Sequence, residues 1–233
     1  MFVLGKTHYC IMRKHALVIL LAIATAMSMH SCKKSKGAPT NIVIDSPVMV
    51  YADYTALKPG NYWIYEEYFV DSVNGAGHPD GQYDSSYVEK DTLVNGKTYH
   101  KYCTVSLNGS GYSLLRDSLS YTVNLSGAIL FSSVDFTDTF VNSYFYNPAA
   151  GPDTLRYIVK MGFKDSSVTV DAGTFKTVTT RQIFFIPPSE PYGPIRENDT
   201  KYAVGIGMII KAEGFFSSAP SYQEFRLQRY HVQ

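Results

Sequence analysis

The sequence predicts an all-β protein built mainly of antiparallel strands, and three observations carry that prediction. Apolar and polar residues alternate with period two over much of the chain, as in "LSYTVNL" (119–125) and "LRYIVKMGF" (155–163). Turn dipeptides separate these runs at short intervals. No long amphipathic helix is evident beyond the N-terminal region, while Tyr (19) and Phe (13) are abundant, as suits half-buried sheet surfaces.

The runs place strands at 61–71, 83–94, 97–107, 111–117, 119–125, 128–133, 154–163, 166–170, 174–186, 199–212 and 221–232. In 119–125 the apolar face would be Leu119, Tyr121, Val123 and Leu125. In 155–163 it would be Leu155, Tyr157, Val159, Met161 and Phe163, leaving the other side wet. Asn95-Gly96 is the strongest hairpin signal, because both residues tolerate positive φ. Gly205 and Gly207 lack the third glycine of a nucleotide loop, since Ile210 stands there, and read as a bend or bulge inside the strand 199–212. "VDFTDTFVNSYFYN" (134–147) fits either element: Phe136, Phe140 and Tyr144 have helical spacing, but its β-branched and aromatic content suits a strand. Two long loops are expected, 72–84 and the proline-rich 186–198. No repeat or internal linker divides the body, so 48–233 is read as one β domain.

The N-terminal region carries an address. Arg13, Lys14 and His15 precede "ALVILLAIATAMSM" (16–29), an apolar run shorter than the roughly 20 residues that span a bilayer. Residues 1–31 therefore read as a signal peptide, with Met12 as the translation start and 1–11 not translated. The junction Ser31-Cys32 followed by "KKSK" resembles a bacterial lipoprotein signal of the relaxed Bacteroidota type, with Met29 and Ser31 in acceptable positions and His30 larger than usual. The resemblance implies that the Cys32 thiol is lipidated and becomes the first residue of the mature chain, with 33–47 as a flexible tether. Two or three acyl chains make such attachment effectively permanent. The basic residues after Cys32 favour an outer-membrane anchor facing the periplasm.

Charge and motif content exclude several functions. Residues 1–31 hold Lys6, Arg13 and Lys14 and no acid, so the rest of the chain has more acidic than basic side chains. Without a basic stripe, nucleic acid is not an expected partner. Cys10 lies before the expected start and Cys32 would carry lipid, which leaves Cys103 alone as a buried thiol on the apolar face of Tyr99, Cys103, Val105 and Leu107. His78, His100 and His231 are scattered, and neither HExxH nor GxSxG occurs. Asp71, Asn74, His78, Asp80 and Asp84 include the oxygens calcium accepts but match no EF-hand spacing, and a solvated loop whose side chains make turns is the favoured reading. Glu66 and Glu67 are adjacent on a strand, so they point to opposite faces and form no catalytic pair. Trp63 is expected in the core. No catalytic residue, metal ligand or cofactor is assigned.

"VTVDAGTFKTVTT" (168–180), "KYAVGIGMIIKAEG" (201–214), the closing "EFRLQRY" and "LKPGNYWIYE" (57–66) resemble a pattern found in exported bacterial proteins and are similar to the LolA/LolB-type fold. That resemblance implies a single curved sheet, a half barrel or open barrel, whose concave side can hold an acyl chain. The matching positions are turns and core, so no ligand residue transfers. The function expected is that of a non-enzymatic, membrane-anchored lipoprotein of the cell envelope that binds an apolar ligand or an envelope protein. A structural or surface-assembly component, and a hydrolase with scattered carboxylates, are the alternatives.

Overall fold

The computed structural model describes residues 49–71, 73–146, 154–186, 195–214 and 222–233. The chain divides into two units, Met1–Pro47 and Val48–Gln233, and all described residues belong to the second. Cys32 and the whole of the expected signal and tether lie outside them.

The described residues contain thirteen strands and no helix: β1 (Tyr62–Val70), β2 (Gly77–Val94), β3 (Lys97–Ser106), β4 (Gly109–Ser118), β5 (Tyr121–Asn124), β6 (Ile129–Ser132), β7 (Thr139–Tyr146), β8 (Thr154–Met161), β9 (Ser166–Val170), β10 (Gly173–Phe185), β11 (Ile195–Ala203), β12 (Gly207–Gly214) and β13 (Tyr222–His231). They form one sheet in the order β6-β5-β4-β3-β2-β1-β13-β12-β11-β10-β8-β7, with β9 paired to β10. Every pairing is antiparallel. The longest-range pairing, β1 with β13, joins the first described strand to the last and places β1 mid-sheet.

The sheet curls until its two flanks touch. Phe131 of β6 meets Tyr202 of β11 with ring centroids 5.0 Å apart, although seven strands lie between them in the sheet. The Ser132 amide donates to Met161 Sδ of β8 at 3.4 Å, and Phe131, Met161 and Val178 form a buried cluster there. No ladder of backbone hydrogen bonds joins β6 to β8 among the described residues, so the seam is closed by side chains. The result is an open barrel, as the curved-sheet expectation required.

The larger core gathers around Trp63, which is 1% exposed, with Tyr65, Val88, Ile209 and Leu227. Its indole Nε1 donates to the Ile206 carbonyl at 2.6 Å. The lead-in to β1 is fastened by Asn61, which is fully buried. Its amide donates to the Ala56 carbonyl, its side-chain oxygen accepts from the Gln233 amide, and its backbone carbonyl accepts from the Val88 amide.

Several predicted boundaries change. The strand 199–212 is two strands, β11 and β12, joined by a turn in which Gly205 (φ 69°) and Gly207 (φ 104°) take the left-handed conformation. A Cβ on Gly207 would lie 3.0 Å from the Trp63 indole nitrogen, so close approach as well as the turn requires glycine. The loop expected at 72–84 shrinks, because β2 begins at Gly77. Residues 77–84 pair with β1 alone, beyond the end of β3, and a strand with one free edge tolerates Pro79. The loop expected at 186–198 ends sooner, since β11 starts at Ile195, and 187–194 lie outside the described residues. The ambiguous 134–147 contains the strand β7, with Phe136 and Phe140 packed on the seam cluster.

The predicted faces also need correction. Leu119 (φ 59°) turns outward at 81% exposed, Leu125 is exposed, and Thr122 and Val123 are both buried. Burying neighbours of opposite parity is possible because β5 has a bulge against β6 at Thr122/Val123. Phe163 is exposed beyond the end of β8, while Leu155 and Met161 are buried as expected. Tyr99 and Cys103 of β3 are buried, but Val105 and, past the strand's end, Leu107 are exposed.

A candidate ligand cavity in the curved sheet

The cavity grows from strand register. Trp63, Tyr65 and Glu67 of β1 alternate along one face, and Ser86 and Asp84 of β2 stand directly opposite Trp63 and Tyr65. Thr104 of β3 pairs with Ser86, which carries the same face one strand further. From the other side, Lys211 of β12 pairs with Phe225 of β13, and Phe225 with Glu67. These strands enclose an outer chamber of about 400 Å³ lined by Glu67, Gln82, Asp84, Glu213, Gln223 and Phe225, with Ser86 beneath.

A second chamber of about 240 Å³ adjoins it and is far more apolar, lined by Leu57, Trp63, Leu115, Leu130, Phe131 and Tyr202. Tyr102, Thr104, Met208 and Lys211 line both chambers, so the two are contiguous. One face of the sheet therefore offers a polar vestibule beside an apolar chamber. A third hollow of about 160 Å³ between the lead-in and β5 involves Tyr51, Asp53, Asp117 and Tyr121; there Asp53 accepts from the Thr55 and Ala56 amides, and Thr55 and Thr122 donate to Asp117.

The vestibule's electrostatics are one-sided. Burial pushes the Glu67 carboxyl above its ordinary value, and the charges of Asp80, Asp84 and Glu213 push the same way. Burial also raises the Asp84 carboxyl; Lys211 opposes this, and Glu213 and Asp80 add to it. Lys211 forms an ion pair with Glu213. Glu67 accepts from the Gln223 side-chain amide and has no ion pair among the described residues. Deeper in, burial raises the phenols of Tyr65, Tyr102 and Tyr202, so these remain neutral hydroxyls at ordinary pH. Tyr65 donates to the Met208 carbonyl at 3.2 Å. The Ser86 hydroxyl lies beside the Tyr65 and Tyr102 hydroxyls and interacts with both, yet reaches a well-formed hydrogen bond with neither.

The residues singled out in the sequence fall out as follows. Glu66 and Glu67 do face opposite ways: Glu66 accepts from Tyr68, Tyr83 and Gln228, away from the cavity, while Glu67 lines it. Asp71, Asn74 and Asp80 each accept a backbone amide two residues on, the geometry of turn-making side chains. His78 and Asp84 lie along β2, so the five oxygen and nitrogen donors do not converge. Among the described residues no group of three or more His, Cys, Asp or Glu could hold a metal ion. Cys103 is a free buried thiol whose Sγ is 3.5 Å from Glu89 Oε2. Glu213, Lys211, Ser86 and Tyr102 were not singled out by sequence, because only the pairing and register of β12, β13, β1, β2 and β3 bring them to one face with Trp63 and Glu67.

No family model matches this chain, and neither does any curated protein. Two solved structures are similar. One is described as a candidate exported protein with a YmcC-like fold from Bacteroides fragilis, at 11% identity and a TM-score of 0.43, covering 77% of this chain and 99% of that one. The other is described as a candidate lipoprotein from Parabacteroides distasonis, at 12% identity and a TM-score of 0.45, covering 78% of this chain and 100% of that one. At such identities and scores no ligand, anchor or role passes from them to this chain.

Proposed function

We propose that this chain is an exported lipoprotein of the cell envelope, anchored to the outer membrane through Cys32 and facing the periplasm, and that its curved sheet binds a small apolar or amphipathic molecule without transforming it. The observation that supports binding is the contiguity of the polar vestibule with the apolar chamber at Tyr102 and Met208, which line both. A hydrocarbon segment in that chamber would gain about 0.8 kcal/mol per buried methylene. The support for the anchor is the signal-like run ending at Ser31-Cys32. The acyl-carrying concave face of the LolA/LolB-type sheets it resembles is the precedent for the ligand class.

The test of binding is mass spectrometry under native conditions on protein purified from envelope membranes, beside the variant Thr104→Trp. Thr104 is exposed and lines both chambers, so the larger side chain obstructs the passage without disturbing the core. A bound amphiphile that disappears in the variant supports the reading. Protein free of any bound species, in wild type and variant alike, favours the structural-component alternative. For the anchor, Cys32→Ser is expected to release the protein from the membrane fraction, and unchanged retention would overturn lipidation at that residue.

A further inference from the structure

The vestibule places three carboxylates on three strands around one opening: Glu67 on β1, Asp84 on β2 and Glu213 on β12. One cation, Lys211, stands among them, and it is already paired with Glu213. Glu67 is left with the neutral amide of Gln223, although Asp80, Asp84 and Glu213 all act on it as like charges. Withdrawing carboxylates from water without matching cations is unfavourable, and the natural relief is a cation supplied from outside.

A second feature points to the same occupant. Ser86 is 2% exposed, lines the vestibule floor and lacks a well-formed hydrogen bond, so an acceptor oxygen waits where an ammonium N–H could donate. Around it stand the rings of Tyr65, Tyr102 and Phe225, and the Lys211 ammonium lies over the Phe225 ring, 5.7 Å from its centroid, a cation–π contact of the kind this lining supports. A bare metal ion does not suit the site, because the carboxylates do not converge to a coordinating group among the described residues. A cation too diffuse for metal ligation and attached to something greasy fits both chambers together.

Building on the proposal that the cavity holds an amphiphile, we infer that the ligand's head is a cationic ammonium seated between Glu67, Asp84 and Glu213, with its hydrocarbon part directed toward Trp63 and Phe131. Anionic amphiphiles are discriminated against by the same carboxylates, and neutral ones gain only the apolar chamber.

The experiment uses three probes with one chain length, dodecylamine, dodecanol and laurate, each below its micelle concentration, titrated at pH 7 into the purified full-length mature protein. Trp63 is the sole tryptophan and lines the inner chamber, so its emission reports occupancy directly. Dodecylamine is expected to bind about tenfold or more tightly than dodecanol, with laurate weakest, and added salt should narrow the gap. Glu67→Gln with Asp84→Asn should bring dodecylamine and dodecanol to similar affinity while leaving dodecanol binding in place. Should that pair fail to fold, Glu213→Gln, at a half-exposed side chain near the end of β12, is expected to shrink the same ratio. Equal binding of amine and alcohol by the wild type, or an unchanged ratio in the variants, would overturn the ammonium inference while the amphiphile reading stands. Binding of none of the three would overturn both.

Discussion

The barrel is held together differently at its Trp63 core and at its Phe131 seam. Around Trp63, three strands are stitched edge to edge by backbone ladders, β13 to β1 to β2, and the indole adds its own bond to the Ile206 carbonyl. At the seam, β6 and β8 meet through Phe131, Met161 and a single amide-to-sulfur contact. Both regions are equally dry, since Trp63 and Met161 are each 1% exposed. Burial alone therefore does not distinguish them. The distinction is that a ladder must break many bonds together, whereas interdigitated side chains can part locally. The seam is where a cavity inside this sheet could widen.

Removing the indole should have the largest effect. Trp63→Ala is expected to cost about 3–5 kcal/mol, because it empties the core and orphans the Ile206 carbonyl. Urea unfolding would measure it, and a loss below about 1 kcal/mol would mean that the ladders alone hold this region. Gly207→Ala should come next, at about 1–3 kcal/mol, because the new methyl meets the indole and the turn must keep a positive φ. Pairing it with Trp63→Ala in a double-mutant cycle should recover part of that cost, since the clash partner is gone. At the seam, Met161→Leu keeps the volume but deletes the sulfur that accepts from Ser132 and Thr180. It should cost under about 1.5 kcal/mol globally. Amide exchange should nevertheless quicken in β6 and β8 while β1 stays protected; uniform quickening would erase the contrast between the two regions.

The smallest expected effect is a pH dependence from the vestibule. Glu67 and Asp84 have pKa values raised by burial and neighbouring carboxylates, so the folded state binds more protons than the unfolded state between their ordinary and raised values. Their contribution to stability is fully present below the ordinary carboxylate range and is lost as pH rises through the raised values. Thermal melts of wild type and the Glu67→Gln, Asp84→Asn pair should therefore diverge as pH rises, with the variant more stable above that window. Binding of an ammonium runs the other way, weakening as these groups protonate. The charged groups acting there are Glu67 on β1, Asp80 and Asp84 on β2, and Lys211 and Glu213 on β12. Parallel trends in melts and binding would break the assignment of both effects to these groups.

Local chemistry made much of the fold legible in advance. Asn95 and Gly96 both take positive φ, as a tight hairpin between β2 and β3 demands, and β9 falls on the run 166–170. What pattern could not reveal was where a turn serves a distant partner. Gly205 and Gly207 look like a kink within a strand until Trp63, 144 residues upstream of Gly207, is placed against Gly207. Likewise Pro79 and Gly81 read as loop because their sequence hides that β2 overhangs β3 with a free edge. The cavity was legible in pieces only. Glu67 and Asp84 stood out separately, one as half of an unproductive pair and one in a turn-rich segment. That they share a wall follows from the β1–β2 register, which parity alone does not fix.

Asn61 has a mechanical consequence. It ties the lead-in segment to Gln233 and to Val88 at the threshold of a strand that has neighbours on both edges. A force arriving from the N-terminal side would have to slide β1 past β13 and β2 simultaneously, in shear, instead of peeling an outer strand one bond at a time. A domain threaded in this way resists a pull on its lead-in segment far better than its modest seam would suggest.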